Sequence, residues 1–199
     1  MSNEQKPYLS WSRFRKYEDD PQKYFTEYIL GLKPPPTRKM IFGSMFSKAY
    51  EDRTLDFAAE LKREGFTADY VRVMSTALVM LPDIGKENCE VTFRSAYSEM
   101  DLLGIFDGYL KQDLCIIENK TGKLWTQERA DTDDQLTFYA LLHLLKTNWL
   151  PGRITLNSVK EGTGAVHSFE TARNNNQIGE LRKRIDCVIY GITNEIWTK

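Results

Sequence analysis

Gly104-Ile105-Phe106-Asp107 and, past a polar turn, Ile116-Ile117-Glu118-Asn119-Lys120-Thr121-Gly122-Lys123 form the stretch that decides the fold. It reads as two antiparallel strands, about Leu102–Lys111 and Leu114–Lys120. With Gln112 and Asp113 as the turn, Lys111 pairs with Leu114, and counting back places Asp107 opposite Glu118. Directly opposed side chains hold their Cβ atoms ~4.5–5.5 Å apart, and like charges there destabilise a sheet. Such a pair is tolerated when one acid is protonated or a cation lies between them. Side chains alternate faces along a strand, so Lys120 shares the face of Glu118. Two acids and a lysine therefore converge, which suits a hard divalent cation and a phosphate.

Working outward, Cys89–Ser98 supplies a third strand before this pair. Upstream, Ser10 caps a short aromatic-rich helix that stops near Glu18-Asp19-Asp20, and Pro21 opens a helix over Gln22–Leu30. Gly31 and Pro34-Pro35-Pro36 end it. The spacing of Phe46, Tyr50, Phe57 and Leu61 predicts one long helix from Gly43 to about Arg63, and Ala68–Leu81 forms another. Downstream come a helix over Ala130–Lys146, a strand over Arg153–Lys160, a short return strand through Phe169, and a closing helix from Gln177 to about Trp197. The order α, β-β-β, α, β predicts an α/β (α+β) domain, a small mixed sheet flanked by helices. A single domain spans 1–199: an N-terminal helical extension over 1–40, a core over 41–170 and a C-terminal helix over 171–199.

Composition narrows the class. The 199 residues are 41% hydrophobic and 28% charged, enough to bury one core. No apolar run has membrane-spanning length. The polar start Met1-Ser2-Asn3-Glu4-Gln5-Lys6 lacks an apolar signal core, so export is not expected. Three widely spaced cysteines, Cys89, Cys115 and Cys187, argue against a disulfide framework and for a reducing cytoplasm. Net charge is −1, unlike the basic balance common in nucleic-acid binders. A catalytic acid cluster lowers net charge while a local rim, with Arg13 and Lys39 among its candidates, still contacts phosphates. Any one of these charges read alone is solvated surface.

Asp107, ten intervening residues, then Glu118-x-Lys120 resembles the PD-(D/E)xK nuclease signature. Gly104-x-x-Asp107 before it and Lys120-Thr121-Gly122-Lys123 after it resemble the RecB-like branch. Leu9-Ser10-Trp11-Ser12-Arg13-Phe14 through Pro21-x-x-Tyr24-Phe25 is similar to that branch's N-terminal helices. Asp134-Gln135-Leu136-x-x-x-Tyr139-Ala140 is similar to its Gln-x-x-x-Tyr helix. The pattern D-x(n)-E-x-K alone is weak; four pieces in order on suitable elements are stronger.

The resemblance implies Mg²⁺ or Mn²⁺ held by Asp107, Glu118 and the carbonyl of Asn119. Lys120 would orient the attacking water and stabilise charge on the phosphate. A cation beside it would lower its pKa, leaving a proton-accepting role open; a plain salt bridge to Glu118 is the alternative. Gln135 would contact substrate or water and Tyr139 would support the strand; read alone, they are a surface amide and ordinary core. Lys123 is a candidate phosphate contact or a solvated lysine. Ser47 stands where many RecB-like nucleases carry a histidine ligand, and Glu51 follows one turn later, so the resemblance implies at most a weaker second metal assisted by Glu51. No cysteine precedes Pro21, so no iron–sulfur cluster is expected.

The resemblance implies a metal-dependent DNA nuclease that leaves 5′-phosphate and 3′-hydroxyl ends. Exonucleolytic action in recombination, repair or phage-type processing is the expectation, though the residues suit exo- and endonucleolytic cleavage alike. No Walker A motif is present, so a helicase or recombination partner would be a separate chain. The alternative is a non-catalytic nucleic-acid-binding module on a degenerate nuclease fold, with Ser47 as its support. A scaffold reusing the fold would suit the near-neutral charge, but no residue favours it.

Overall fold

A computed structural model describes residues 6–198; most of the polar start, residues 1–5, and residue 199 lie outside the described residues. Six strands form one mixed sheet: β1 (Tyr8–Ser10), β2 (Cys89–Tyr97), β3 (Met100–Leu110), β4 (Cys115–Gly122), β5 (Arg153–Lys160) and β6 (Val166–Thr171). β3 is central. β2 pairs antiparallel along one edge. The other edge is shared: β1 runs parallel beside Asp101–Leu103, and β4 runs antiparallel beside Gly108–Leu110. Between those two footholds the edge of Gly104–Asp107 is open. β4 continues parallel to β5, and β6 closes the sheet.

Helices cover both faces. On one lie α1 (Trp11–Asp19), α7 (Asp134–Thr147) and α8 (Asn175–Thr193), packing Phe14, Phe138, Leu141 and Ile185 against Phe106 and Ile116. On the other, α3 (Arg38–Glu51), α4 (Phe57–Arg63) and α5 (Ala68–Met80) bury a second cluster around Phe42, Phe46, Leu61 and Met74. Gly104 lets α7 approach the sheet, since a Cβ there would lie 2.7 Å from Leu142. No helix among the described residues is long and apolar enough to cross a membrane.

Three predicted helices are each interrupted, and polar side chains explain two of the breaks. The expected Gly43–Arg63 helix divides at Asp52, whose carboxylate accepts from the Thr54 amide (3.0 Å) and hydroxyl (2.6 Å). That local turn competes with helical bonding, and Asp56 then caps α4. The expected Ala130–Lys146 helix is α6 (Gln127–Thr132) followed by α7, because Asp133 leaves helical geometry to cap the Leu136 amide at 3.0 Å. The expected Gln22–Leu30 helix is one turn, α2 (Pro21–Tyr24), followed by a wider π turn over Phe25–Ile29. β1 was not expected; its three residues are too few to show alternation.

Candidate active site

β3 and β4 adopt the predicted register, with Gly108 opposite Ile117 and Leu110 opposite Cys115. The ladder ends there, one step before Asp107 and Glu118. In place of that rung, Asp107 Oδ2 accepts from the Asn119 backbone N–H at 2.6 Å. The strand also changes faces here. Phe106 packs on Tyr139 and Tyr109 bonds to His143, both on α7 although the two are three residues apart. A Cβ on Gly108 would instead meet Ile84, which packs with the second core cluster. β2 makes the same switch: Val91 packs with the first cluster, Cys89 with the second, and Glu90 between them has φ 49°. Left-handed backbone is unfavourable for a residue with a Cβ. The switch thus brings carboxylates to one level of three adjacent strands.

Glu118 is 4% exposed. Its Oε1 accepts from Lys120 Nζ and from Gln135 Nε2, the latter at 3.0 Å. Its Oε2 is buried with no hydrogen-bond partner. Burial, then the charge of Asp107, pushes Glu118 up to about 8. Burial raises Asp107 to about 6, against the lowering pull of the Asn119 amide, Lys120 and Ser47. Burial works to lower Lys120, but Glu118 and Asp107 outweigh it and hold the ammonium protonated. Gln135 completes the cluster: its Oε1 accepts from Lys120 Nζ (2.8 Å), and its Nε2 also donates to Tyr139 OH (2.9 Å). One helical turn separates Gln135 and Tyr139 on α7, so both reach the same point.

Asp107, Glu118, Asn119, Lys120, Gln135, Tyr139 and Ser47 are therefore brought together. Glu51 ends α3 beside Cys89 and Glu90, both of which its charge raises, and Glu118 acts on Glu90 as well, so Glu51 borders the cluster through Glu90. Arg13 is engaged elsewhere, stacked over the rings of Tyr8 and Tyr28 and donating to Tyr8 O. Lys39 is exposed on the first turn of α3, and Lys123 is exposed just beyond β4. Sequence reading missed Glu90, because the face switch that carries it inward leaves no periodic signal. It also missed Asn157 of β5, which no motif marks. Asn157 Nδ2 donates to Asn119 Oδ1 (2.9 Å), and Asn157 Oδ1 accepts from Ser168 (2.7 Å).

The donor set fits a divalent cation. Glu118 Oε2 is an orphaned buried acceptor, Asp107 stands beside it, and both acids are destabilised in their charged forms. Oxygen-only donors suit Mg²⁺ or Mn²⁺ completed by water and phosphate. Among the described residues no three His, Cys, Asp or Glu side chains converge to hold an ion by themselves, so carbonyl and water ligands must complete the shell.

Comparison with known proteins agrees with this geometry. A sequence model of the PD-(D/E)XK nuclease superfamily matches residues 8–198. The chain belongs to that superfamily. Its fold is similar to the crystal structure of a protein from Eubacterium rectale provisionally described as an exonuclease. The TM-score is 0.68 at 14% identity, covering 96% of this chain and 83% of the other. It is also similar to LHK-Exo in complex with dAMP, with TM-score 0.54 at 13% identity over 94% of this chain and 89% of that one. No curated protein matches the chain.

Proposed function

We propose that this nuclease-superfamily protein is a divalent-metal-dependent deoxyribonuclease acting as an exonuclease. The observation that carries the reading is the orphaned Glu118 Oε2 beside Asp107, with Lys120 and Gln135 fixed on the other oxygen. Asp107, Glu118 Oε2 and the Asn119 carbonyl would hold Mg²⁺ or Mn²⁺. Such a cation polarises the phosphate and favours deprotonation of a nearby water. Lys120 Nζ keeps its proton and donates toward the phosphate oxygen on which charge grows. Gln135 fixes the direction of that ammonium, and Tyr139 fixes Gln135. The dAMP complex of LHK-Exo supports a deoxynucleotide substrate.

Residues 41–170 serve as the catalytic core of one domain. A cytoplasmic role in DNA recombination, repair or phage-type processing, with any helicase or recombination partner on a separate chain, is consistent with three unpaired cysteines. The second reading is a non-catalytic DNA-binding module; Ser47 beside Asp107, in place of a stronger ligand, favours it.

End-labelled linear DNA incubated with Mn²⁺, with Lys120→Ala as control, tests the choice. Shortening from the ends that the control lacks supports the exonuclease. Salt-sensitive DNA binding without cleavage by either protein supports the module instead.

A further inference from the structure

The open edge of β3 is the floor of a cavity of about 300 Å³, lined in part by Tyr8, Trp11, Ile105, Gln135 and Tyr139. It exists because β1 leaves β3 at Leu103 while β4 joins only at Gly108. We propose that this fork is a nucleoside pocket: it receives the base of the nucleotide whose phosphate lies at Asp107, Glu118 and Lys120. The inference rests on the nuclease reading and extends it to which part of the substrate is gripped.

Four observations carry it. The cavity is continuous with the catalytic cluster, because its wall residue Gln135 bonds directly to Glu118 and Lys120. Its size falls at the lower end of small-ligand sites, ~300–1,000 Å³. Its walls offer aromatic faces, and base–aromatic stacking tolerates any base. Trp11 is braced by Phe14 and Phe138 (centroids 5.5 and 6.1 Å), which holds its ring without filling the cavity. Lastly, the floor can hydrogen-bond. Asp101 donates to Pro7 on the β1 edge, and strand alternation turns the backbone of Ile105 toward the same edge, where no strand pairs with it. Ile105 as a residue is 47% exposed, so this stretch of the edge is open to solvent. Ser10 and Ser12, whose hydroxyls lie 3.1 Å apart, add polar groups at the rim.

The test uses single-stranded oligonucleotides in which one base after another is replaced by an abasic residue. With the wild type and Mn²⁺, one position next to the cleaved linkage should lower cleavage about tenfold when its base is removed, as expected for one lost stack. Trp11→Ala should cleave the base-bearing strand about tenfold more slowly and lose that sensitivity. Ser12→Trp, at an exposed rim position of the same cavity, narrows the fork and should give the same loss should Trp11→Ala fail to fold. Cleavage with no sensitive position, or with sensitivity unchanged in both variants, overturns the pocket.

A second readout separates this from failure of the nuclease reading. A 2-aminopurine oligonucleotide bound to Lys120→Ala protein should be quenched, and the quench should vanish when Trp11→Ala is added. Trp11-dependent quenching without cleavage by the wild type keeps the pocket and overturns the nuclease reading. Cleavage with quenching that ignores Trp11 overturns the pocket alone.

Discussion

The Asn119 backbone N–H donates to Asp107 Oδ2 at 2.6 Å, so one acid of the pair is held by the main chain of the strand that carries the other, Glu118. The position of Asn119 is fixed in turn from the far side of the sheet. Asn119, Asn157 and Ser168 lie at one register level on β4, β5 and β6, and their side chains are joined by hydrogen bonds. Asn157 is 1% exposed, so this row is a buried polar network in which each member depends on the next.

Asn157→Leu should therefore loosen the site without touching it. The change strips the donor from Asn119 Oδ1 and the acceptor from Ser168, and lets the Asn119 backbone shift. Outer partners of metal ligands affect affinity ~10–100-fold. Titration calorimetry with Mn²⁺ alone should show a loss of that order in a protein that still unfolds cooperatively. Unchanged Mn²⁺ affinity would mean the row is only structural.

Gln135 offers a second test, on the substrate side. It links Lys120 Nζ, Glu118 Oε1 and Tyr139 OH, so Gln135→Leu frees the ammonium to swing on its long stem. Turnover on linear DNA should fall ~10–100-fold, less than the loss in Lys120→Ala, whose removed cation is worth ~10²–10³ by analogy with an oxyanion donor. Equal losses in the two variants would place Gln135 in direct contact with the reacting groups.

How much of this was legible in the sequence follows from what each feature depends on. The register that leads up to Asp107 and Glu118 was readable because a short turn fixes it by counting, although the ladder stops one step before the two acids. The strand Arg153–Lys160 was readable because the alternation Ile154-Thr155-Leu156-Asn157, in a stretch flanked by Gly152 and Gly162, has the period of a strand. The breaks at Asp52 and Asp133 were not, because an aspartate inside an apolar-periodic stretch caps or interrupts a helix according to which amides lie within reach. The face switch at Glu90 and Asp107 was invisible for a similar reason. It breaks the two-residue period that strand reading assumes. β1, and with it the fork, depends on pairing across ninety residues of intervening chain.

The pH dependence of cation binding has a definite sign. Glu118 and Asp107 are raised to about 8 and about 6, from ordinary values of 4.5 and 3.8. Each acid holds its proton more tightly in the folded protein, so its contribution to stability is fully present below the ordinary carboxylate range. That contribution is lost as pH rises through 6 and then 8. The cation-free protein should become less stable from about pH 5 to about pH 8. Cation binding competes with those same protons. The rise in Tm on adding Mg²⁺ should thus be small at about pH 5 and grow toward pH 8. Thermal unfolding with and without Mg²⁺ across that range checks it, and Glu118→Gln should flatten the trend. A Mg²⁺ effect independent of pH would place the cation elsewhere.

Arg173 should matter for stability out of proportion to its distance from the acids. It is 5% exposed, and among the described residues no carboxylate hydrogen-bonds to it. Its guanidinium donates to the carbonyls of Ala130 (2.7 Å), Asp133 (3.1 Å) and Ala172 (2.9 Å), and to the hydroxyls of Thr137 and Thr171 (2.8 Å each). Burial lowers its pKa, and nearby Asp133, Asp131 and Asp134 oppose that. This one side chain thereby ties the α6–α7 junction to the end of β6, two residues before Gln135. Arg173→Met leaves several buried acceptors without donors, at ~1–3 kcal/mol for each that water cannot reach. A total loss of about 3 kcal/mol corresponds to ~6–12 °C in Tm for a chain of this size. Arg173→Lys should restore only part, since an ammonium cannot reproduce the planar fork that reaches five acceptors. Calorimetry of the three proteins measures this directly. A Tm for Arg173→Met within about 2 °C of the wild type would show that the junction holds without the clamp.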